Sequence, residues 1–330
     1  MPRFSLRRTL IGVIAAVTLA CTGERAPVAD ALVRDDFGTA IDTAALAAGR
    51  IVSLNPATTE LLFALGAGQL VVGRSVWDQW PVEAREVESV GPGLQPNVEA
   101  VLARRPDLVV LYASADNRAA SDRIRAAGVP VLALKIDRID QHLRGTLILG
   151  ALTGQQARAD SLAQALTRTL DSVRTATAGL ARPRVFWHIW GQPLITIGRG
   201  SFLHELLEVA GAENIYADLA TESPPVALED VVRRNPDVIL AGPVNAAVLS
   251  SDPRWQAVRA VRAGNIAIVD TTLVGRPSVL LGEAAIHLAR LLHPGDPQAG
   301  NGKGERGNGT AGNGKRKGGK TEWRRAGTES

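Results

Sequence analysis

The stretch RIVSLNPATTELLFALGAGQLVVG, residues 50–73, decides the fold. It opens with a short apolar run, RIVSL (50–54), that reads as a buried strand. A loop at Asn55-Pro56-Ala57-Thr58 follows, then a helix through TELLFALGAG. Thr58 or Thr59 can cap that helix, and Gly66 and Gly68 can end it. A second apolar run, LVVG (70–73), closes the unit. Strand, helix and strand in succession are the signature of an α/β fold.

The same alternation continues outward. DLVVLY (107–112) and PVLALKI (130–136) are further strands, and RVFWHIW (184–190), DVILAG (237–242) and NIAIVD (265–270) supply the second half. Helical patterns separate them at about 97–104, 117–127, 202–210, 227–234 and 278–292. Between the halves, roughly 155–180, Leu162, Leu166, Leu170 and Val173 recur on one helical face, and neither glycine nor proline interrupts before Gly179. At 1.5 Å per residue this predicts a rod of about 39 Å, long enough to join two lobes. The halves echo each other: PNVEAVLARRPDLVVL (96–111) resembles PVALEDVVRRNPDVILA (225–241), with Glu99, Pro106 and Asp107 each 130 positions before Glu229, Pro236 and Asp237. The expected fold class is therefore α/β: two lobes with mostly parallel sheets, bridged by one long rigid helix. The expected division is 50–150 for the first lobe, 151–182 for the bridge and 183–294 for the second lobe.

The two ends differ from this body. The chain has 330 residues and a formal charge of +4, but residues 21–294 hold 26 basic and 29 acidic side chains. The excess of positive charge belongs to the termini, so the body offers no basic face for nucleic acid. RFSLRR (3–8) followed by TLIGVIAAVTLA (9–20) reads as an export signal over 1–20, shorter than the ~20 apolar residues of a membrane span. Thr18-Leu19-Ala20-Cys21 resembles a lipobox, which makes Cys21, the only cysteine, the expected site of lipid attachment and 21–49 a linker and N-terminal extension. Residues 295–330 are rich in glycine, asparagine and charge, with four of the five lysines, and read as a disordered tail.

Enzyme signatures are missing from the body: there is no GxSxG and no HExxH, and GKT occurs only at 319–321 in the glycine-rich tail, where no apolar strand feeds it as a phosphate loop requires. His204-Glu205 opens HELLE without a second histidine, and VGPGLQP (90–96) has no strand feeding it as a dinucleotide loop requires. The five histidines show no metal-ligand spacing, so neither a catalytic centre nor a metal or cofactor is expected. The aromatic residues say more. Trp77 and Trp80 lie in SVWDQWP, just after LVVG, and Trp187 and Trp190 lie at the end of RVFWHIW. Both pairs sit at or beyond strand carboxyl ends, where open α/β sheets bind ligands. Parity sends Trp187 with Val185 into the core, and His188 and Trp190 to the mouth. Glu99 and Glu229 fall in the first turns of equivalent helices. They either serve the helix dipole or form a matched pair for a two-fold symmetric partner.

These segments, taken in order, resemble the class III periplasmic substrate-binding proteins of ABC importers, the cobalamin and iron–siderophore receptors. The resemblance rests on 50–73, WDQWP, VEAVLARRPDLVV and GAENIYAD (211–218), and runs from about 32 to 293. It implies a monomeric, lipid-anchored, extracytoplasmic receptor without enzymatic activity, holding a metal chelate in the cleft between its lobes. It implies that Glu99 and Glu229 meet arginines of a permease dimer. The chain looks most like the cobalamin branch, whose first cleft-loop aromatic corresponds to Trp77 and whose late loop corresponds to TTLVGRP (271–277). Ligand contacts are expected from Pro56, Ala57, Trp77, Trp80, Trp190, Thr272, Leu273, Val274 and Arg276. The late loop carries Leu273 and Val274 where that branch often has an aromatic, and TESPPVALED (221–230) lacks a tryptophan some relatives carry. A ferric siderophore or haem is the alternative cargo, and an extracytoplasmic α/β enzyme the alternative of another class.

Overall fold

The computed structural model describes residues 32–295, apart from 44 and 47. The expected signal sequence 1–20, Cys21 and nearly all of the tail lie outside the described residues. The chain enters as an antiparallel hairpin, β1 (Leu32–Arg34) and β2 (Ala40–Asp42), which the sequence reading did not anticipate. The first lobe follows: β3 (Ile51–Ser53), α1 (Pro56–Ala64), β4 (Val71–Arg74), α2 (Val98–Ala103), β5 (Leu108–Tyr112), α3 (Ala115–Ala126) and β6 (Val131–Leu134). Its four strands run parallel in the order β4-β3-β5-β6. Residues Asp35 and Asp36, next to the hairpin, cover the free edge of β6: the Asp36 amide donates to Ala133 O at 2.8 Å, and Asp35 Oδ2 accepts from the Ala133 amide at 3.1 Å. That shields an edge otherwise open to pairing with another chain.

Helix α1 starts earlier than expected. Its N-cap is Asn55, whose Oδ1 accepts from the Ala57 amide at 2.9 Å, with Pro56 in the first turn. Asn followed by Pro presets the helix start, so Thr58 and Thr59 turn inward instead of capping.

The connection between lobes is also richer than one rod. The predicted helix is α5 (Gln156–Thr177), about 33 Å long at 1.5 Å per residue. Before it runs α4 (Ile139–Leu152), which the sequence reading left without structure. Ile139 and Leu143 of α4 pack in the core of the second lobe, whereas Ile148, Leu149 and Leu152 pack in that of the first. Helix α5 returns: Ala159 and Leu162 lie in the first lobe's core, Leu166, Leu170 and Val173 in the second's. Both helices therefore span the lobes in opposite directions. Gly150 makes the pairing possible, because a Cβ there would stand 2.4 Å from the Ala159 Cβ.

The second lobe contains β7 (Arg184–His188), the hairpin β8 (Trp190–Gly191) and β9 (Leu194–Ile195), α6 (Phe202–Val209), β10 (Glu213–Asn214), α7 (Leu228–Arg234), β11 (Val238–Ala241), α8 (Pro243–Ser251), α9 (Arg259–Arg262), β12 (Ile266–Ile268), α10 (Thr271–Val274) and α11 (Leu281–Leu292). Its parallel sheet has the order β10-β7-β11-β12. Each apolar run named above forms a strand, which is what β-branched stretches buried on both faces do.

The internal echo has a physical basis. In the first lobe Asp107, just before β5, accepts from the Arg50 amide at 3.0 Å and the Gly49 amide at 2.9 Å. The Arg50 guanidinium in turn caps the carbonyls of Arg104 and Arg105 after α2. In the second lobe Asp237 accepts from the Arg184 amide at 3.0 Å, and the Arg184 guanidinium caps the carbonyls of Arg234 and Asn235. Arg105 and Asn235 both take left-handed backbone, with φ of 50° and 49°. One aspartate and one arginine thus bracket the helix-to-strand turn in each lobe.

Candidate ligand-binding cleft

A buried carboxylate builds the first lobe's side of the cleft. Asp78, in the loop after β4, is fully buried. Its Oδ2 accepts from the Thr59 hydroxyl at 2.7 Å and the Ser75 amide at 3.1 Å, and its Oδ1 accepts from the Ser75 hydroxyl at 2.6 Å. The Thr59 hydroxyl lies 2.7 Å from that of Ser53 at the end of β3. Burial pushes the Asp78 carboxyl above the usual carboxylate range, although the Ser75 and Thr59 hydrogen bonds oppose it. Asp78 fastens WDQWP to α1 from beneath and leaves the flanking indoles outside, with Trp77 70% and Trp80 48% exposed. Large exposed aromatics side by side mark a binding surface.

These indoles border a chamber of about 500 Å³ with Pro56, Ala57, Tyr112 and Arg276. Pro92, Gly93 and Leu94 of VGPGLQP form another wall. A Cβ on Gly93 would come 2.3 Å from Leu54 O, so glycine lets this loop cross the end of β3. A second chamber, of about 330 Å³, opens on the other lobe and is lined by Trp187, His188, Ser223, Asn245 and Val274. The two chambers share Asp137, Gly275 and Pro277, so they form one cleft between the lobes. Cavities of a few hundred Å³ with aromatic walls and few polar groups are the usual form of a small-molecule site.

The structure places several of the expected residues differently. Trp187 is core, as parity predicts. His188 is not at an open mouth: it is buried, edge-on to Phe186 and Trp255 at 6.3 and 5.7 Å between centroids. Its Nδ1 has no hydrogen-bond partner among the described residues, and burial lowers its pKa. Strand β7 ends at His188, so Trp190 belongs to the separate β8–β9 hairpin, 61% exposed, with Nε1 donating to Gln192 O at 3.1 Å. It borders a neighbouring depression that meets the cleft only at His188 and Asn245. Thr272 and Leu273 do not line either chamber: the Thr272 hydroxyl donates to Asp270 at 2.6 Å, and Leu273 packs on the second lobe's core.

Two ion pairs tie the lobes together at the cleft. Arg276 Nε and Nη2 each lie 2.9 Å from Oε2 of Glu60, which is only 2% exposed on α1. Burial raises the Glu60 pKa, and the Arg276 charge and hydrogen bond lower it. Lys135, just past β6, lies 2.9 Å from Glu222 of the second lobe and 3.1 Å from Asp137. The Tyr112 hydroxyl donates to Asp137 at 2.8 Å, and burial with that carboxylate pushes its pKa up. Sequence reading missed Tyr112, Asp137 and Glu222. Tyr112 ends β5 and Asp137 lies just past β6, where the rule that located the tryptophans also applies; Glu222 carries no local signal.

Glu99 lies in the first turn of α2, whose N-cap Asn97 accepts from the Glu99 amide, and Glu229 lies in the first turn of α7. Both are exposed, and neither forms an ion pair among the described residues.

Two parallel-sheet lobes, a helical connection and a cleft between strand ends define a solute receptor. Residues 51–273 match the family described as periplasmic binding protein, and the chain belongs to it, within the class III receptors for vitamin B12, siderophores and haem. The family is non-enzymatic, works outside the cytoplasm and delivers its ligand to an ABC transporter. The chain is 34% identical over 212 residues to the vitamin B12-binding protein of Salmonella paratyphi A, covering 63% of this chain and 78% of that one. Among solved structures it is similar to the periplasmic vitamin B12 binding protein of Vibrio cholerae, with a TM-score of 0.67 and 24% identity over 75% of this chain and 97% of that one. It is also similar to a periplasmic haem binding protein from Pseudomonas aeruginosa, with a TM-score of 0.66 and 26% identity over 76% and 94%.

Proposed function

We propose that this protein captures cobalamin, or a related corrinoid, and presents it to the permease dimer of an ABC importer. The observation that carries the reading is the pair of exposed indoles, Trp77 and Trp80, on a cleft that continues across both lobes. A large flat chelate can stack on those indoles while its rim reaches the second lobe. The vitamin B12-binding relatives support the same cargo. Glu99 and Glu229, one exposed carboxylate per lobe, dock to basic sites on the two permease halves, where such charges set orientation and encounter rate. Cys21 carries the lipid that holds the receptor to its membrane, after an export signal over 1–20 is removed.

Ligand capture tests the reading. Cyanocobalamin added to the purified protein should quench the fluorescence of Trp77 and Trp80 saturably. Haemin and a ferric siderophore, titrated beside it, should bind more weakly. Tighter binding of either would move the cargo to that chelate, and no response to any of the three would remove the receptor reading.

A further inference from the structure

We infer that the cleft selects its cargo by charge, admitting uncharged and cationic chelates and rejecting anionic ones, and that Lys135 with Glu222 and Asp137 sets this filter. The inference rests on the receptor reading above.

Lys135 is the only lysine among the described residues. It stands where the chain leaves the first lobe, and its one ammonium faces two carboxylates: Glu222 at 2.9 Å and Asp137 at 3.1 Å. Both of these line the cleft, Glu222 on the second-lobe chamber and Asp137 on both chambers. Glu222 and Asp137 hold the ammonium in its charged form, since each raises the Lys135 pKa. Lys135 stands behind that wall, and the cation that lines it, Arg276, is held by Glu60 from the other side. Glu60 is buried on α1, so the guanidinium keeps its counter-charge in place. Two cations thus stand against three carboxylates, Glu60, Asp137 and Glu222. Among the described residues, the one arginine that lines the cleft is paired with a carboxylate, and no lysine lines it.

An anion entering such a cleft gives up water and meets no free cation, while the excess carboxylate repels it. An uncharged chelate gives up less. It gains stacking on Trp77 and Trp80 and can hydrogen-bond to Ser223 and Asn245. At separations of several Å and the effective dielectric of a protein surface, one unit of charge changes affinity by roughly tenfold to thirtyfold.

The test uses probes matched in shape and different in charge: neutral cyanocobalamin with cationic aquocobalamin, and neutral, cationic and trianionic ferric chelates (two hydroxamates and a catecholate). Affinities are read by tryptophan quenching at low salt. The native protein should bind the trianionic chelate at least about a hundredfold more weakly than the neutral one. Lys135→Met leaves the carboxylates uncompensated and should raise the cationic-to-neutral affinity ratio about tenfold. Glu222→Gln frees the ammonium and should lower that ratio by a similar factor, while strengthening the trianion. Both variants lose the same ion pair, so a role in folding alone would move the ratio alike in both. Ratios that move together, ratios that do not move, or native binding of the trianion as tight as that of the neutral chelate would overturn the filter. If the hydroxamates bind and the corrinoids do not, the cobalamin reading falls while the ratio of the hydroxamate pair still decides the filter. Silence from every probe removes both.

Discussion

The two lobes share a frame and differ at the mouth. Asp107 with Arg50 and Asp237 with Arg184 make the same bracket between helix and strand. Beyond the strand ends the resemblance stops. The first lobe turns its aromatic residues out, with Trp77 and Trp80 over the cleft. The second turns most of its own in: Phe186, Trp187, Tyr216 and Trp255 are buried, with His188 among them, and only Trp190 stands out, on a hairpin beside the cleft. What separates them is a carboxylate. Asp78 is buried beneath the first loop and forces its neighbours to the surface, and the second lobe's segment after β7 has no such anchor. A repeated scaffold thus acquires a wall of exposed indoles on one side of the cleft only.

The most damaging test removes that anchor. Asp78→Ala leaves the hydroxyls of Ser75 and Thr59 and the Ser75 amide without their shared acceptor inside the protein. Stability should fall by about 4 kcal/mol, and ligand quenching should vanish even in the fraction that remains folded. A variant that melts like the native protein and still binds would show that the loop does not depend on its carboxylate. Next comes acid, acting on the helices that join the lobes. Burial holds His142 of α4 at about 4, below its ordinary value of 6.5. A depressed histidine contributes stability that is present above pH 6.5 and lost as pH falls toward 4. The loss should total about 3 kcal/mol, visible in urea midpoints across that window, and His142→Leu should flatten the slope.

The shared frame makes a symmetric prediction. Asp107→Ala and Asp237→Ala should each cost about 2 kcal/mol, since each deletes charge-assisted bonds to backbone amides. A strongly unequal pair of denaturation midpoints would break the equivalence of the lobes. The mouths should respond unequally instead. Trp77→Ala should weaken ligand binding tenfold to a hundredfold, about 1–3 kcal/mol, with little effect on folding. Trp190→Ala, outside both chambers, should change affinity by less than about threefold, or ~0.6 kcal/mol. Equal losses in titration would bring the hairpin into the site. The smallest effect on stability belongs to Glu99→Ala with Glu229→Ala, within about 0.5 kcal/mol of native. That double variant should bind ligand normally and fail to stimulate the ATPase of a reconstituted transporter; full stimulation would cancel the docking proposal.

Most of the frame was legible because its signals are local. Runs such as DLVVLY and DVILAG can only be buried strands, and the periodic leucines of α5 declare one face. Helix α4 was not anticipated, and its Gly145 and Gly150 are poor helix formers. They are small for tertiary reasons, lying against Ile136 and Ala159. The strand-end rule located Trp77 and Trp80, and the family resemblance pointed to Pro56 and Arg276; all four border the cleft. Parity failed for His188 and Trp190 because the strand stops between them and a hairpin begins. Lys135 with Glu222 could not be read at all: 87 positions separate the partners, and nothing near either announces the other.

The contact between Gly150 and Ala159 has a mechanical consequence. Two antiparallel struts locked at a point without slack cannot be flexed unless one slides along the other, so the back of the receptor behaves as a stiff spring with a short travel. Loading then demands little reorganisation, and scattering profiles of empty and loaded protein should nearly superimpose. The expectation is then that contact with a transporter supplies the force that spreads the jaws, so that release is fast with the reconstituted transporter and slow without it.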